Sequence, residues 1–277
     1  LFPTNSNAAS VDPRLQQALD LAAEIAERYG SSSTNPLLAS CRSALARDEI
    51  TIAIVGRFKA GKSSFLNHFL GRPLLPVGVV PVTAVVTEIR FGPAERAEVR
   101  FLDGRAEEVS LSEIAGYVSE RENAENHKRV ATIRVELPSL ARFPRLIFID
   151  TPGLESVLAH NTEASLSWLP NVGLALVAVS VDPPLSQQDI ELLKNLYRYT
   201  TNVWILLTKV DLISPEERVE VLDFIRTQLA RNLGHAPEIF PYSVRPEYEE
   251  YREQLEQKVI HRTLEEFGDQ RSAILSR

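Results

Sequence analysis

Apolar positions along this chain fall into two kinds of pattern. Residues 50–55, 146–149, 173–180 and 203–207 are short, continuous apolar runs rich in β-branched residues. Runs of that length and density predict strands buried on both faces of a sheet. Residues 97–102 and 130–137 also read as strands, the second with clean alternation, while 80–90 ends as a strand and 239–243 is a last strand and loop. Between them, 64–70, 186–199 and 214–233 carry apolar residues at helical spacing, and 111–113 opens a short helix to about 121. The charged stretch 120–129 reads as a solvated face or loop. Strands alternating with helices predict an α/β fold with a mostly parallel, doubly wound sheet.

Both ends of the chain read as helix. Asp12-Pro13 supplies a cap and a first-turn proline. Leu15, Ala18, Leu19, Ala22, Ile25, Ala26 and Tyr29 then form one apolar stripe, which Gly30 ends. Asn35-Pro36 starts a second helical segment to about Ala46. From Pro246 onward Tyr248, Tyr251, Leu255, Val259 and Phe267 mark an apolar side, which Gly268 interrupts. The expected division is an N-terminal helical extension (1–48), a core domain (49–245) and a C-terminal helical segment (246–277). The N-terminal stripe needs a partner, and the C-terminal helix is the expected one over the adjoining domain.

Composition narrows the reading. The 277 residues are enough for one large α/β domain with appendages or for two small domains. A net charge of −7 argues against a general nucleic-acid binder. The single cysteine, Cys41, forbids an internal disulfide and suits a reducing compartment, so a cytoplasmic location is expected. No apolar run approaches the roughly 20 residues that span a bilayer, and Leu1-Phe2-Pro3 lacks the basic and apolar regions of a signal peptide. The chain contains no methionine, so it is expected to be an excised or processed piece of a longer protein.

The candidate chemistry starts at Gly56-Arg57-Phe58-Lys59-Ala60-Gly61-Lys62-Ser63, between the first strand and a helix. Two glycines four residues apart, then Lys and Ser, in a strand–loop–helix setting, form a phosphate-binding loop. Its backbone N–H groups wrap a phosphate, and the helix that follows points its positive end at the same group. The loop residues Gly56, Phe58, Lys59, Ala60, Gly61, Lys62, Ser63 and Ser64 are the candidate nucleotide contacts. Lys62 would reach the β- and γ-phosphates and Ser63 would offer its hydroxyl to Mg²⁺. Thr83 sits where a mobile loop becomes a strand, and in a nucleotide switch it would bind Mg²⁺ and sense the γ-phosphate. Asp150-Thr151-Pro152-Gly153 ends an apolar strand; Asp150 would hold a water on Mg²⁺ and the Gly153 N–H would read the γ-phosphate. Residues 154–165 would form the second switch. Thr208-Lys209-Val210-Asp211 follows another buried strand. Its carboxylate can accept from guanine N1–H and the 2-amino group, a pair that adenine lacks, and Lys209 would lie along the ring. Ser243 is a further candidate, contacting the base through its backbone.

These motifs, in this order, are similar to those of guanine-nucleotide-binding proteins. The interval from Lys62 to Asp150 is longer than a compact small GTPase allows. Gly56 to Ser64, the stretch 75–92, Asp150 to Gly153, Thr208 to Asp211 and the terminal 271–277 together resemble bacterial dynamin-like proteins over about residues 50–277. The resemblance implies a P-loop, Ras-like GTPase domain that uses Mg²⁺ and GTP, releases GDP, dimerises through its nucleotide face and remodels membranes. It implies neck helices at both ends and lipid contact through regions outside this chain, peripheral to the membrane. Phe58 and Lys59 depart from the Gln and Ser of eukaryotic dynamins, and Leu154 stands where Ras-like GTPases place a water-positioning Gln. Lys59, where guanylate-binding proteins carry Arg, is therefore expected to supply positive charge to the transferring phosphoryl group. With Lys62, Ser63 and Thr83 it completes the expected catalytic set. A regulatory GTPase of another class acting on ribosomes or RNA, a low-activity GTP-binding switch, and an ATPase are the rival readings.

Overall fold

A computed structural model describes residues 13–29, 38, 49–78, 85–119, 121–151 and 172–261. Among these, nine strands form one sheet: β1 (Ile50–Gly56), β2 (Val86–Phe91), β3 (Arg96–Phe101), β4 (Ala106–Val109), β5 (Val130–Leu137), β6 (Leu146–Asp150), β7 (Val172–Ser180), β8 (Val203–Thr208) and β9 (Ile239–Pro241). Their order is β4-β3-β5-β2-β6-β1-β7-β8-β9. The half from β6 through β9 is wholly parallel, with Ile52 opposite Phe148 on one side and Leu174 on the other. β2 turns antiparallel to β6 and pairs parallel with β5; β3 and β4 then add antiparallel. The sheet is mixed, with its uninterrupted parallel half under the candidate site.

Among the described residues the α-helices are α1 (Pro13–Arg28), α2 (Lys62–Leu70), α3 (Ala115–Val118), α4 (Gln187–Leu196), α5 (Pro215–Leu233) and α6 (Glu249–Leu255). Strand periodicity sorts the core into two layers. Ile52 and Ile54 of β1 face Phe65, Leu66 and Phe69 of α2, with Phe148, Tyr242 and Leu255. Ala53 and Val55 face the other way, toward Ile190 and Leu193 of α4 and Ile225 and Leu229 of α5. Every residue of β7 is buried, as a central parallel strand covered on both faces requires. Burial of side chains such as Phe65 and Phe69 contributes about 1.5–3 kcal/mol each and fixes α2 beneath the phosphate loop. No helix among the described residues is long and apolar enough to cross a membrane.

α1 begins and ends where its stripe predicted, and Ala26 is buried, but Leu21, Ile25 and Tyr29 are exposed among the described residues. Most of the expected second N-terminal helix and the chain beyond residue 261 lie outside the described residues. The expected helix over 111–121 is shorter than its pattern suggested: a 3-10 turn (Leu111–Glu113) leads into the four-residue α3. The C-terminal segment starts as a 3-10 turn (Pro246–Tyr248), continues as α6 and loosens into a π-helical turn (Glu256–His261).

Candidate phosphate and base site

The candidate residues within the described chain gather at one end of the sheet. They lie at the carboxyl ends of the parallel strands β1, β6 and β8, in the loops leaving β1, β8 and β9, or in the first turn of α2. That edge is where an α/β sheet presents loops and helix N-termini to a ligand. β1 runs directly into the glycine loop. Gly56 has φ +148°, and a Cβ there would sit 2.5 Å from the Ala178 carbonyl oxygen of β7, so glycine keeps the two strands in register. Gly61, at φ +91°, is the N-cap of α2 and no side chain caps that helix. The amides of its first turn therefore face the loop without intrahelical acceptors, at the positive end of the helix dipole.

Inside the loop, the Ala60 N–H donates to the Arg57 carbonyl at 3.2 Å. Lys59 adopts left-handed φ (62°) and is exposed, with its ammonium 5.5 Å from the Phe58 ring centroid. Lys62 is folded back: its ammonium donates to the carbonyls of Gly56 (2.9 Å) and Arg57 (3.0 Å). Burial pushes its pKa below the ordinary 10.5, and the Asp150 carboxylate opposes that shift. Asp150 is completely buried at the end of β6. One of its oxygens accepts from the Ser63 hydroxyl at 3.1 Å, and the other, Oδ1, has no partner among the described residues. Burial raises its pKa to about 6, against the pull of Lys62 and the Ser63 hydrogen bond. An unpartnered buried carboxylate oxygen beside a serine hydroxyl is a hard-oxygen donor set of the kind Mg²⁺ takes with few protein ligands, so these residues fit that ion.

Two threonines strap the loops together. Thr151 donates its hydroxyl to the Ile54 carbonyl at 2.9 Å, joining the exit of β6 to β1. Thr208 donates to the Ala60 carbonyl at 2.7 Å, with the Val179 carbonyl at 3.3 Å. The end of β8 is thereby tied to the phosphate loop. Lys209 follows in left-handed conformation (φ 60°) and heads a 3-10 turn (Val210–Leu212). Asp211 accepts from the Ser243 hydroxyl at 2.6 Å, with Arg245 Nε at 3.7 Å from its other oxygen. The loop after β9 is held by the Tyr242 N–H donating to the Leu207 carbonyl (2.8 Å) and the Val210 N–H donating to the Tyr242 carbonyl (3.3 Å). Ser243, expected to offer its backbone to a base, uses its side chain to orient the acid.

The structure thus brings together Gly56, Phe58, Lys59, Ala60, Gly61, Lys62, Ser63, Ser64 and Asp150, and links them through Thr208 to Lys209, Asp211 and Ser243. Thr83, Gly153 and the expected second switch at 154–165 lie outside the described residues. The motif reading passed over Arg57, whose Nε donates to the buried Asp189 at 2.9 Å. Its partner is 132 positions away, and no local pattern in the chain connects them.

Comparison with known proteins follows the same residues. A model of the dynamin family matches residues 52–210. An uncharacterized protein of Caldicellulosiruptor is 31% identical over 201 residues, which cover 73% of this chain and 50% of that protein. Dynamin-like protein 2 of Campylobacter jejuni is 32% identical over 179 residues, covering 64% of this chain and 29% of its own length. The bacterial dynamin-like protein of Nostoc punctiforme is 28% identical over 227 residues, with coverages of 71% and 32%. This chain therefore spans half or less of these relatives. A chain from a solved structure of an oligomerised bacterial dynamin pair, described as sensing and tethering membranes, superposes with a TM-score of 0.65 at 21% identity. It covers 89% of this chain and 39% of its own, and the likeness is one of fold.

Proposed function

The chain belongs to the dynamin family of P-loop GTPases, and from that premise we propose that it binds GTP with Mg²⁺, hydrolyses it to GDP and phosphate, and serves as the motor of a longer membrane-remodelling protein. The supporting observation is the convergence at one sheet edge of a glycine loop, a buried aspartate beside Ser63, and an Asp211 oriented by Ser243. Residues 49–245 would form the GTPase domain, with 1–48 and 246–277 as parts of a neck. Dimerisation through the nucleotide face and peripheral attachment to lipid through regions outside this chain complete the reading.

Each group has work to do in such a site. The amides of the loop and of the first turn of α2 cradle the phosphates. Lys62 exchanges two neutral carbonyl acceptors for phosphate oxygens, a gain in charge-assisted hydrogen bonding. Ser63, Thr83 and Asp150, the last through water, would hold the metal, which when bound offsets charge on the β- and γ-phosphates. Gly153 would report the γ-phosphate. Asp211 accepts from two donors on guanine while Ser243 fixes its rotamer, and Lys209 covers the ring. Lys59, exposed and left-handed within the loop, would add positive charge near the transferring group.

Titration calorimetry in Mg²⁺ tests the base assignment. The chain should take up GDP at least about tenfold more tightly than ADP, or about 1.4 kcal/mol. Asp211→Asn should remove that preference, because the amide presents a donor where guanine also has one. Equal uptake of GDP and ADP by the parental chain would overturn the reading.

A further inference from the structure

Arg57 stands inside the phosphate loop, yet its side chain leaves the site. Its Nε donates to Asp189 Oδ1 at 2.9 Å, and its Nη2 reaches the Pro183 carbonyl at 3.4 Å. Asp189 is wholly buried in the first turn of α4. Its other oxygen accepts from both the N–H (2.7 Å) and the hydroxyl (2.9 Å) of Ser186, the N-cap of that helix. The acid therefore caps α4 and holds Arg57 with the same carboxylate. At the other end of the residue, the Arg57 carbonyl accepts from the Ala60 N–H and from the Lys62 ammonium. Arg57 is thus fixed to the neighbouring βα unit by its side chain and to the lysine of the loop by its backbone.

We propose that Arg57 and Asp189 form a clamp that pre-shapes the phosphate loop for nucleotide; this rests on the GTP-binding reading above. The acid of this pair is fully desolvated and satisfied by three donors, unlike an exposed surface pair of little value. The tether is anchored directly after Gly56, in a loop that also holds the left-handed Lys59 and Gly61, whose freedom would otherwise have to be lost when phosphate arrives. Anchoring the loop in advance removes that ordering cost from binding. The clamp touches neither substrate nor metal, so Arg57 and Asp189 are positioning residues. It acts alike on bound GTP and on the transition state, so its loss belongs to KM more than to kcat.

The test uses the whole chain with a fluorescent GDP analogue and Mg²⁺, measuring equilibrium affinity and release rate for the parent, Arg57→Ala, Asp189→Asn and the double variant. Asp189→Asn keeps a capping side chain on α4 while removing the charge. Each single variant should bind GDP roughly 5- to 20-fold more weakly, mainly through faster release, and the double should be no weaker than the worse single within about twofold, as residues acting as one unit are. The GTP KM should rise in step and kcat should fall by less. Arg57→Lys, which keeps the charge without the planar fork, should lie between parent and Arg57→Ala. Two results would overturn the clamp: Arg57→Ala binding GDP within twofold of the parent, or a double variant whose loss is the product of the two singles. A parental chain that takes up no GDP analogue at all would bring down the functional reading and the clamp together, whereas a parent that binds and an Arg57→Ala that binds as well would remove only the clamp.

Discussion

Asp150 meets two opposed demands. A ligand site wants its carboxylate charged, and its surroundings want it neutral, because it is fully buried with one oxygen unpartnered. Its pKa of about 6, against an ordinary 3.8, expresses the second demand. For an acid whose folded pKa is raised, the folded chain binds the proton more tightly than the unfolded one. The associated stability is complete below about 3.8 and is lost as pH rises through about 6. The two values differ by about 3 kcal/mol in free energy. Asp150→Asn should therefore melt a few degrees above the parent at pH 7.5 in EDTA, with the difference roughly halved at pH 5 and closing only below about pH 3.8, while Mg²⁺-dependent GDP binding weakens. Thermal scans at the two pH values check this; a difference independent of pH would show that charge burial is not its cause. The proposed function at this position would run against stability, as a site built to take a cation does.

At the scale of elements, the threonine that ends β8 is a structural strap as much as part of a base-reading motif. Its hydroxyl lies between the Ala60 and Val179 carbonyls, so one side chain links the carboxyl end of β8 to the phosphate loop and to β7. Thr208→Val keeps shape and loses the donor, leaving a buried carbonyl unpaired at a cost of about 1–2 kcal/mol. A lower urea midpoint with unchanged slope, and looser GDP binding, are expected; Thr208→Ser should restore most of both. Equal midpoints for parent and Thr208→Val would dismiss the strap. The parallel half of the sheet was legible because its strands are continuous apolar runs and its glycine loop has fixed spacing. β4 was not: Ala-Glu-Glu-Val is polar, lies at the sheet edge with mostly exposed side chains, and carries no apolar face to betray it. The reversed direction of β2 was also hidden, since alternation in a sequence says nothing of strand polarity. The described part of the charged stretch, 121–129, is more ordered than its composition implies. Buried Asn123 bonds the Tyr117 carbonyl and the Lys128 N–H, and Asn126 bonds both backbone groups of Val130. Such side-chain turns have no period to read. In the site, motifs with fixed spacing disclosed the phosphate loop, Asp150 and Asp211; Arg57 with Asp189 and the side-chain role of Ser243 depend on long-range approach that only the fold supplies.

For the whole molecule, what is exposed matters as much as what is packed. Leu212, 61% exposed, follows Asp211, the proposed base reader, and Val244, 43% exposed, follows its partner Ser243. Two aliphatic side chains thus flank the proposed nucleotide face, where burial against a second copy would remove them from water. α1 offers a rival surface in Leu21 and Ile25, on the N-terminal extension. The two surfaces separate in one experiment. If copies meet through the nucleotide face, GTP turnover per molecule should rise severalfold as protein increases from about 0.1 to about 10 µM, a range that brackets a modest micromolar contact. Leu212→Asp should flatten that rise by placing a charge in the contact, whereas Ile25→Asp should leave it in place. Turnover that is flat in the parent would remove dimerisation from the mechanism and leave an intrinsic GTPase. A rise abolished by Ile25→Asp and spared by Leu212→Asp would move the contact to α1. A site without a glutamine after Gly153, and whose proposed charge donor Lys59 is exposed, has reason to be enclosed by another molecule.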